Sequence, residues 1–206
     1  MVKLLNYKGF KMASLPSVQD GRVILIGENP FIWLSQTSTS EKTTQASVWS
    51  IIYSPKGSGH ALFIKSELTD NKWKIYSDNF EMARWLQSSV QGMLNPETSS
   101  EDIEIKEAKF SHSGDTSNSW QQIIKSSDDD IIMNWEGLQE PILVQDEKVS
   151  ESYRPYGVNV VMLPAKSANI TINGKKAEGQ IWPMDLDGSD FSTGALAFCE
   201  NWREER

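Results

Sequence analysis

The stretch that decides the fold is residues 48–77, VWSIIYSPKGSGHALFIKSELTDNKWKIYS. Its segments at 48–54, 60–66 and 72–77 alternate in hydrophobicity or are rich in β-branched and aromatic residues, which is typical of strands. The first connection contains Pro55 and Gly57, which set or tolerate turn dihedral angles, and the second is polar. We therefore expect three adjacent antiparallel strands.

The residues after this meander predict one α-helix at about residues 79–94. Asp78 precedes the helix as a carboxylate cap, and Glu81 completes a pattern that resembles a capping box. Pro96 restricts the residue before it, so the helix is expected to end there. Apolar side chains recur at helical spacing between these limits, at Met82, Leu86, Val90 and Met93.

The remainder of the chain also predicts strands. Their signals fall at 103–111, 118–125, 130–135, 141–146, 157–163, 168–173, 179–182 and 191–202. Asn173-Gly174 suits a type I′ turn, so residues 170–180 are expected to form a hairpin. Short strands, one helix and no βαβ alternation predict a mainly β chain, either an antiparallel β-barrel or a two-layer β-sandwich. We expect residues 1–206 to form a single domain.

Composition limits the partners and the compartment. The formal net charge is −8 and the basic residues are scattered, which disfavours nucleic acid and anionic membranes as partners. Cys199 is the only cysteine, so no intrachain disulfide can form. The sequence shows no signal peptide and no transmembrane run. We therefore expect a cytoplasmic protein, whose oligomeric state stays open.

Motifs of several common enzyme classes are absent from the sequence. It has no Gly-rich phosphate loop, no HExxH, no cysteine pair for zinc and no GxSxG elbow. Residues 185–190, DLDGSD, resemble part of a calcium loop but lack the glutamate that follows in an EF-hand. An acidic turn is the favoured interpretation, with a weak calcium site as the alternative. We expect neither a metal nor a cofactor.

Two titratable residues are candidates for acid/base chemistry. His60 shares a strand face with Leu62, so its imidazole is expected to point inward, as a general acid or base or as a structural hydrogen-bonding group. Glu200 alternates with Leu196 and Phe198, and an inward position would raise the pKa of its carboxyl group. Fraying of the last strand would instead leave Glu200 exposed.

Most tryptophans fall in strand-like segments, where they can line a pocket or fill the core. The candidate ligand-binding residues are Trp33, Tyr53, Met133, Trp135, Asn159 and Trp182. The architecture resembles lipocalin-like barrels in general form, without a motif that matches residue by residue, and this resemblance implies an internal pocket.

These observations favour a β-barrel protein that binds an apolar or aromatic small molecule, with or without acid/base chemistry in the pocket. Whether the protein is an enzyme stays open. One alternative is a cofactor-independent isomerase, hydratase or cyclase that uses His60 and Glu200. The other is a non-enzymatic domain that binds another protein through a sheet edge or an aromatic patch.

Overall fold

The computed structural model describes residues 23–146, 156–186 and 189–204. The strands in these ranges are β1 (Val23–Glu28), β2 (Phe31–Ser35), β3 (Lys42–Tyr53), β4 (Gly59–Ser66), β5 (Lys74–Ser77), β6 (Ile105–Glu107), β7 (Lys109–Asp115), β8 (Ser119–Lys125), β9 (Asp130–Glu136), β10 (Ile142–Asp146), β11 (Tyr156–Pro164), β12 (Ser167–Ile172), β13 (Lys175–Lys176), β14 (Pro183–Leu186), β15 (Ser189–Ser192) and β16 (Gly194–Glu204). The helix comprises α1 (Phe80–Leu86), a π-helical turn (Gln87–Gln91) and α2 (Gly92–Leu94), and short 3-10 turns lie at Glu67–Thr69 and Pro96–Thr98. None of these helices is long and apolar enough to cross a bilayer.

The strands form one large mixed sheet and one smaller antiparallel sheet. Within the described residues, the large sheet has nine strands in the order β10-β11-β16-β1-β3-β4-β5-β6, with β2 paired to both β16 and β3. Its described pairs are antiparallel except β5 and β6, which are parallel. The smaller sheet has the order β13-β12-β9-β8-β7, and β14 pairs with β15 separately. The mainly β class with one helix is confirmed, and two packed sheets fit the expected sandwich.

β1 and β2 behave as one interrupted strand. Both run antiparallel to the same neighbours: β1 pairs with the second halves of β3 and β16, and β2 with their first halves. The interruption falls at Asn29-Pro30, because proline has no backbone N–H to donate to a ladder. Two backbone groups at this point still bond to the neighbouring strands: Asn29 N donates to Ala197 O, and Pro30 O accepts from Val48 N, each at 2.9 Å.

Two apolar cores lie on opposite faces of the large sheet. The core between the two sheets contains, among others, Ile32, Val48, Leu62, Met133 and Trp135. The core between the large sheet and the helix contains, among others, Trp49, Phe63, Met82, Leu86 and Trp202. Successive residues of β4 therefore alternate between two buried environments, as expected for a central strand covered on both sides.

The helix lies where the sequence predicts it, but its cap is Asn79. Asn79 Oδ1 accepts a hydrogen bond from Met82 N at 3.1 Å, whereas the carboxylate of Asp78 binds His60. The expectation of an Asp78 cap is wrong because cross-strand bonding to His60 competes for this carboxylate. At the other end of the helix, Trp49 Nε1 donates to Gln91 Oε1 at 2.8 Å and ties the helix to β3.

The π-helical turn requires Gly92. A Cβ atom at this position would overlap the carbonyl oxygen of Gln87, which lies five residues earlier in the widened turn. The wider turn rotates the following residues relative to a regular α-helix. Gln87 and Gln91 are both buried, although each is polar.

A bulge in β16 changes which of its residues share a face. Cys199 has a left-handed φ of 53°, and the register between β11 and β16 shifts at this point. Leu196 consequently packs between the two sheets, while Trp202 packs under the helix. The expectation that Glu200 shares a face with Leu196 and Phe198 is wrong, because the extra residue interrupts the alternation.

The Asn173-Gly174 turn is confirmed. Its φ angles are 53° and 74°, and Ile172 pairs with Lys175 across it. The expected strand at 179–182 is not present. Gly179 adopts a left-handed φ of 96°, and in place of a strand the chain there forms an isolated bridge between Ser35 and Gln180.

Candidate functional site

A cavity of about 520 Å³ lies beside the core under the helix. Its walls come from β2 and β3, from β10 and β11, from the end of the helix, and from the β14–β15 hairpin. The volume lies within the range of small-molecule sites. Large apolar side chains dominate the lining, among them Phe31, Trp33, Trp73, Met162, Phe191 and Trp202.

Glu200 lines this cavity and is only 3% exposed. The bulge at Cys199 turns its side chain to the same side as Trp202, whose Nε1 donates to Glu200 Oε1 at 2.6 Å. The other carboxyl oxygen, Oε2, is buried and has no hydrogen-bond partner among the described residues. Burial raises the pKa of Glu200 to about 7, although the bond from Trp202 acts in the opposite direction. The cavity therefore contains a carboxyl group that titrates near neutral pH.

Two buried amides add polar groups to the cavity wall. Asn29 Oδ1 accepts a hydrogen bond from Ser47 Oγ at 2.6 Å, and Gln91 Oε1 accepts one from Trp49 Nε1 at 2.8 Å. Both amide oxygens are thus occupied within the fold. Each amide also carries a nitrogen that donates, and this is the group that the two residues could offer to a ligand.

Charged residues fix two of the tryptophans at the rim. Lys42 Nζ lies 3.9 Å from the centroid of the Trp33 ring, an arrangement that a cation–π interaction stabilises. Glu97 Oε2 accepts hydrogen bonds from Lys65 Nζ at 2.8 Å and from Trp73 Nε1 at 3.0 Å. The two hydrogen bonds hold the pKa of Glu97 below its ordinary value. Partial burial also lowers the pKa of Lys42.

His60 lies on the opposite face of the large sheet from Glu200. Its Nδ1 is 2.6 Å from Asp78 Oδ2, its backbone N–H donates to Asp78 Oδ1, and its ring stacks on Phe110. Phe110 packs against the core between the sheets, whereas Glu200 bonds to Trp202 in the other core. The structure therefore does not bring His60 and Glu200 together, and they share no cavity.

The face that carries His60 holds a second group of titratable side chains. Glu28 pairs with Ser50, and Ser50 pairs with His60, so the three are aligned across neighbouring strands. Burial raises the pKa of Glu28, while His112 and His60 act to lower it. Within the described ranges, no group of histidine, cysteine and carboxylate residues is arranged to hold a metal ion.

Of the predicted ligand-binding residues, Trp33 lines the cavity and two others belong to the core. Met133 and Trp135 are fully buried between the two sheets. Trp135 Nε1 donates to Phe31 O at 3.0 Å, which satisfies its polar atom within the core. These two side chains consequently stabilise the sandwich and do not line the cavity.

The other predicted ligand-binding residues lie outside the cavity. Tyr53 ends β3 opposite Ile26, and Asn159 Nδ2 donates to Asn201 Oδ1 at 3.3 Å. Trp182 Nε1 donates to Ser35 O at 3.2 Å and borders a separate open cleft.

The acidic segment 185–190 is described only in part. Asp185 and Asp190 pair across the β14–β15 hairpin. Its tip, residues 187–188, lies outside the described residues, so the alternatives of an acidic turn and a calcium site stay predictions there.

The sequence did not identify several residues that line the cavity, among them Trp202, Lys42 and Gln91. The spacing of Glu200 and Trp202 predicts that their side chains lie on the same face of the strand, because residues i and i+2 of a strand do so. This spacing could have identified Trp202 as a neighbour of Glu200. The remaining wall residues come from strands far apart in the chain.

Comparisons with known proteins assign no family to this chain. No protein-family model, curated protein or solved structure matches it.

Proposed function

We propose that this protein binds an apolar or aromatic small molecule in the cavity that Glu200 lines. The observation that carries the proposal is the buried Oε2 atom of Glu200, which has no partner within the described fold. An unsatisfied buried polar atom costs about 1–3 kcal/mol, and such atoms are uncommon in folded proteins. A ligand that bonds to Oε2 would remove this cost.

The chemistry of the walls supports the same proposal. Aromatic and apolar side chains cover most of the cavity, and a few polar groups converge on it, which is the usual composition of a small-molecule site. In this proposal the protein resembles lipocalin-like barrels in that β structure surrounds the ligand. It acts in the cytoplasm, in keeping with its single cysteine.

Tryptophan fluorescence tests the proposal, because Trp33, Trp73 and Trp202 all line the cavity. We expect the uncharged probe 2-naphthol to quench this emission at micromolar concentrations. Val160→Phe fills the cavity and should weaken binding at least tenfold. Ile52→Phe adds the same ring at a position that is 70% exposed and outside the cavity, so binding should not change.

Leu94→Trp provides a second obstruction in case Val160→Phe fails to fold. Leu94 is partly exposed at the rim, where a larger side chain disturbs the core less. Binding that is equally tight in both cavity variants and in wild type would contradict the proposal.

A second candidate function is proton transfer on the bound molecule, as in a cofactor-independent isomerase, hydratase or cyclase. The pKa of Glu200, raised to about 7, suits a general acid or base at neutral pH. His60 lies on the other face of the sheet, so it is not the second acid or base of this proposed reaction. Exchange of an acidic C–H of a bound ketone with D₂O would test it, and Glu200→Gln should abolish that exchange.

A further inference from the structure

The hydrogen bonding of Glu200 limits what the ligand can present to it. Trp202 Nε1 already donates to Oε1, so a ligand meets the free acceptor Oε2. An ammonium group supplies both an N–H donor and the positive charge that a buried carboxylate lacks. Charge-assisted bonds of this kind are stronger than neutral ones.

No charged side chain in the described part of the chain neutralises Glu200. Lys42 of β3 contacts Trp33 at the rim, and Glu97 after the helix binds Lys65. Glu28 of β1 lies on the opposite face, where His60 and His112 act on it. Arg203 directly follows Trp202 in β16, so strand alternation turns it away from the cavity.

The aromatic walls favour a positive charge as well. The faces of tryptophan and phenylalanine rings attract cations, and the attraction is larger where water is excluded. One wall ring already accepts a cation, since Lys42 Nζ lies 3.9 Å from the centroid of Trp33. The net charge of −8 raises the local concentration of cations around the protein.

We infer that the cavity selects aromatic molecules that carry a protonated amine, with the ammonium group bound to Glu200 and the ring packed between the tryptophans. This inference rests on the proposed function, and it names the chemical class of the ligand. A neutral carbonyl compound is the competing class, because a protonated Glu200 could donate to its oxygen.

The pH dependence of affinity separates the two classes. Glu200 is ionised to a small extent at pH 5.5 and almost fully at pH 8, because its pKa is about 7. If only the ionised form binds 2-phenylethylammonium, affinity should increase about 30-fold between these pH values. The uncharged control 2-phenylethanol should bind more weakly at pH 8 and show little pH dependence, and a carbonyl ligand such as acetophenone should lose affinity as pH rises.

Calorimetry with the full chain provides the decisive comparison. At pH 8, Glu200→Gln should weaken binding of 2-phenylethylammonium at least tenfold more than it weakens binding of 2-phenylethanol, because the amide keeps the shape of the side chain but removes its charge. Three results would overturn the inference about the ammonium group and leave the proposed function standing. These are ammonium binding that does not depend on pH, ammonium binding that is retained in Glu200→Gln, and binding of the alcohol or the ketone that is tighter than binding of the ammonium compound. Failure of all three probes to bind at millimolar concentrations would overturn the proposed function as well.

Discussion

At the scale of single residues, the buried carboxyl group of Glu200 makes the free energy of unfolding depend on pH. Its pKa is about 7 in the folded protein, against an ordinary value of 4.5. Between these values the folded state holds a proton that the unfolded state has released. The free energy of unfolding therefore decreases as pH rises from about 4.5 to 7. Outside that window the titration of Glu200 does not change it.

Glu200→Gln should remove this penalty. We expect the variant to gain stability relative to wild type as pH rises, by about 3 kcal/mol at pH 8, and to gain little at pH 4.5. Urea unfolding at several pH values measures the difference. Glu204→Gln, at an exposed position of the same strand, is the control and should follow wild type throughout. If the difference in the free energy of unfolding between Glu200→Gln and wild type does not vary with pH, the pKa of Glu200 is not raised in the folded protein.

Replacement of His60 should change the stability of the protein but not its affinity for the ligand. Its contacts are with Asp78 and Phe110, on the face of the sheet away from the cavity. We expect His60→Gln to lower stability by about 1 kcal/mol through loss of the Asp78 hydrogen bond. Affinity for 2-naphthol should remain as in wild type. A large loss of affinity without unfolding would show that His60 acts on the ligand despite its position.

At the scale of the helix, the π-helical turn sets the position of Gln91 at the cavity wall. Gly92→Ala forces a methyl group against the carbonyl oxygen of Gln87, so the turn must shift. We expect a loss of about 1–3 kcal/mol in stability, typical of overpacking, together with weaker probe binding. Ser88→Ala, at an exposed position of the same turn, should change neither property. Wild-type affinity in Gly92→Ala would show that the turn does not position the site.

Local signals made some elements predictable from the sequence. The apolar spacing of the helix and the Asn173-Gly174 turn depend on residues close together in the chain, and both are confirmed. The cap at Asn79 and the bulge at Cys199 depend on distant strands. Nothing in the residues beside Cys199 indicates a positive φ, so alternation alone assigned Glu200 to the wrong face.

The cavity was less predictable than the strands that enclose it. Of the residues that the sequence suggested, Glu200 and Trp33 line the cavity. Met133 and Trp135 lie in the core instead, because strand periodicity separates inward from outward positions but does not separate a cavity from a packed core. That distinction depends on which strands pair, and β16 pairs with strands from both ends of the chain.

At the scale of the whole molecule, long strands belong to both cores. β3 contributes Val48 to the core between the sheets and Trp49 to the core under the helix, and β16 contributes Leu196 and Trp202 in the same way. Disruption of one core therefore disturbs the strands that form the other. This sharing concerns residues 23–146, 156–186 and 189–204, and the expectation that residues 1–206 form a single domain stays a prediction.

Unfolding should accordingly be a single cooperative transition. We expect urea curves from far-UV circular dichroism, which reports the strands, to coincide with those from tryptophan fluorescence, which reports both cores. Leu86→Asp places a charge in the core under the helix and should shift both curves equally to lower urea. Two separated transitions, or a shift of only one curve, would indicate two independent units.

The position of β16 in the middle of the large sheet has a consequence for the protein during its synthesis. The interrupted strand β1–β2 pairs on one side with β3, which is made soon afterwards, and on the other with residues 194–203. A nascent chain therefore carries an unpaired edge at β1–β2 for as long as the ribosome needs to add about 150 further residues. Such an edge is a template for pairing with other chains, so chaperones that shield exposed strands should raise the yield of soluble protein.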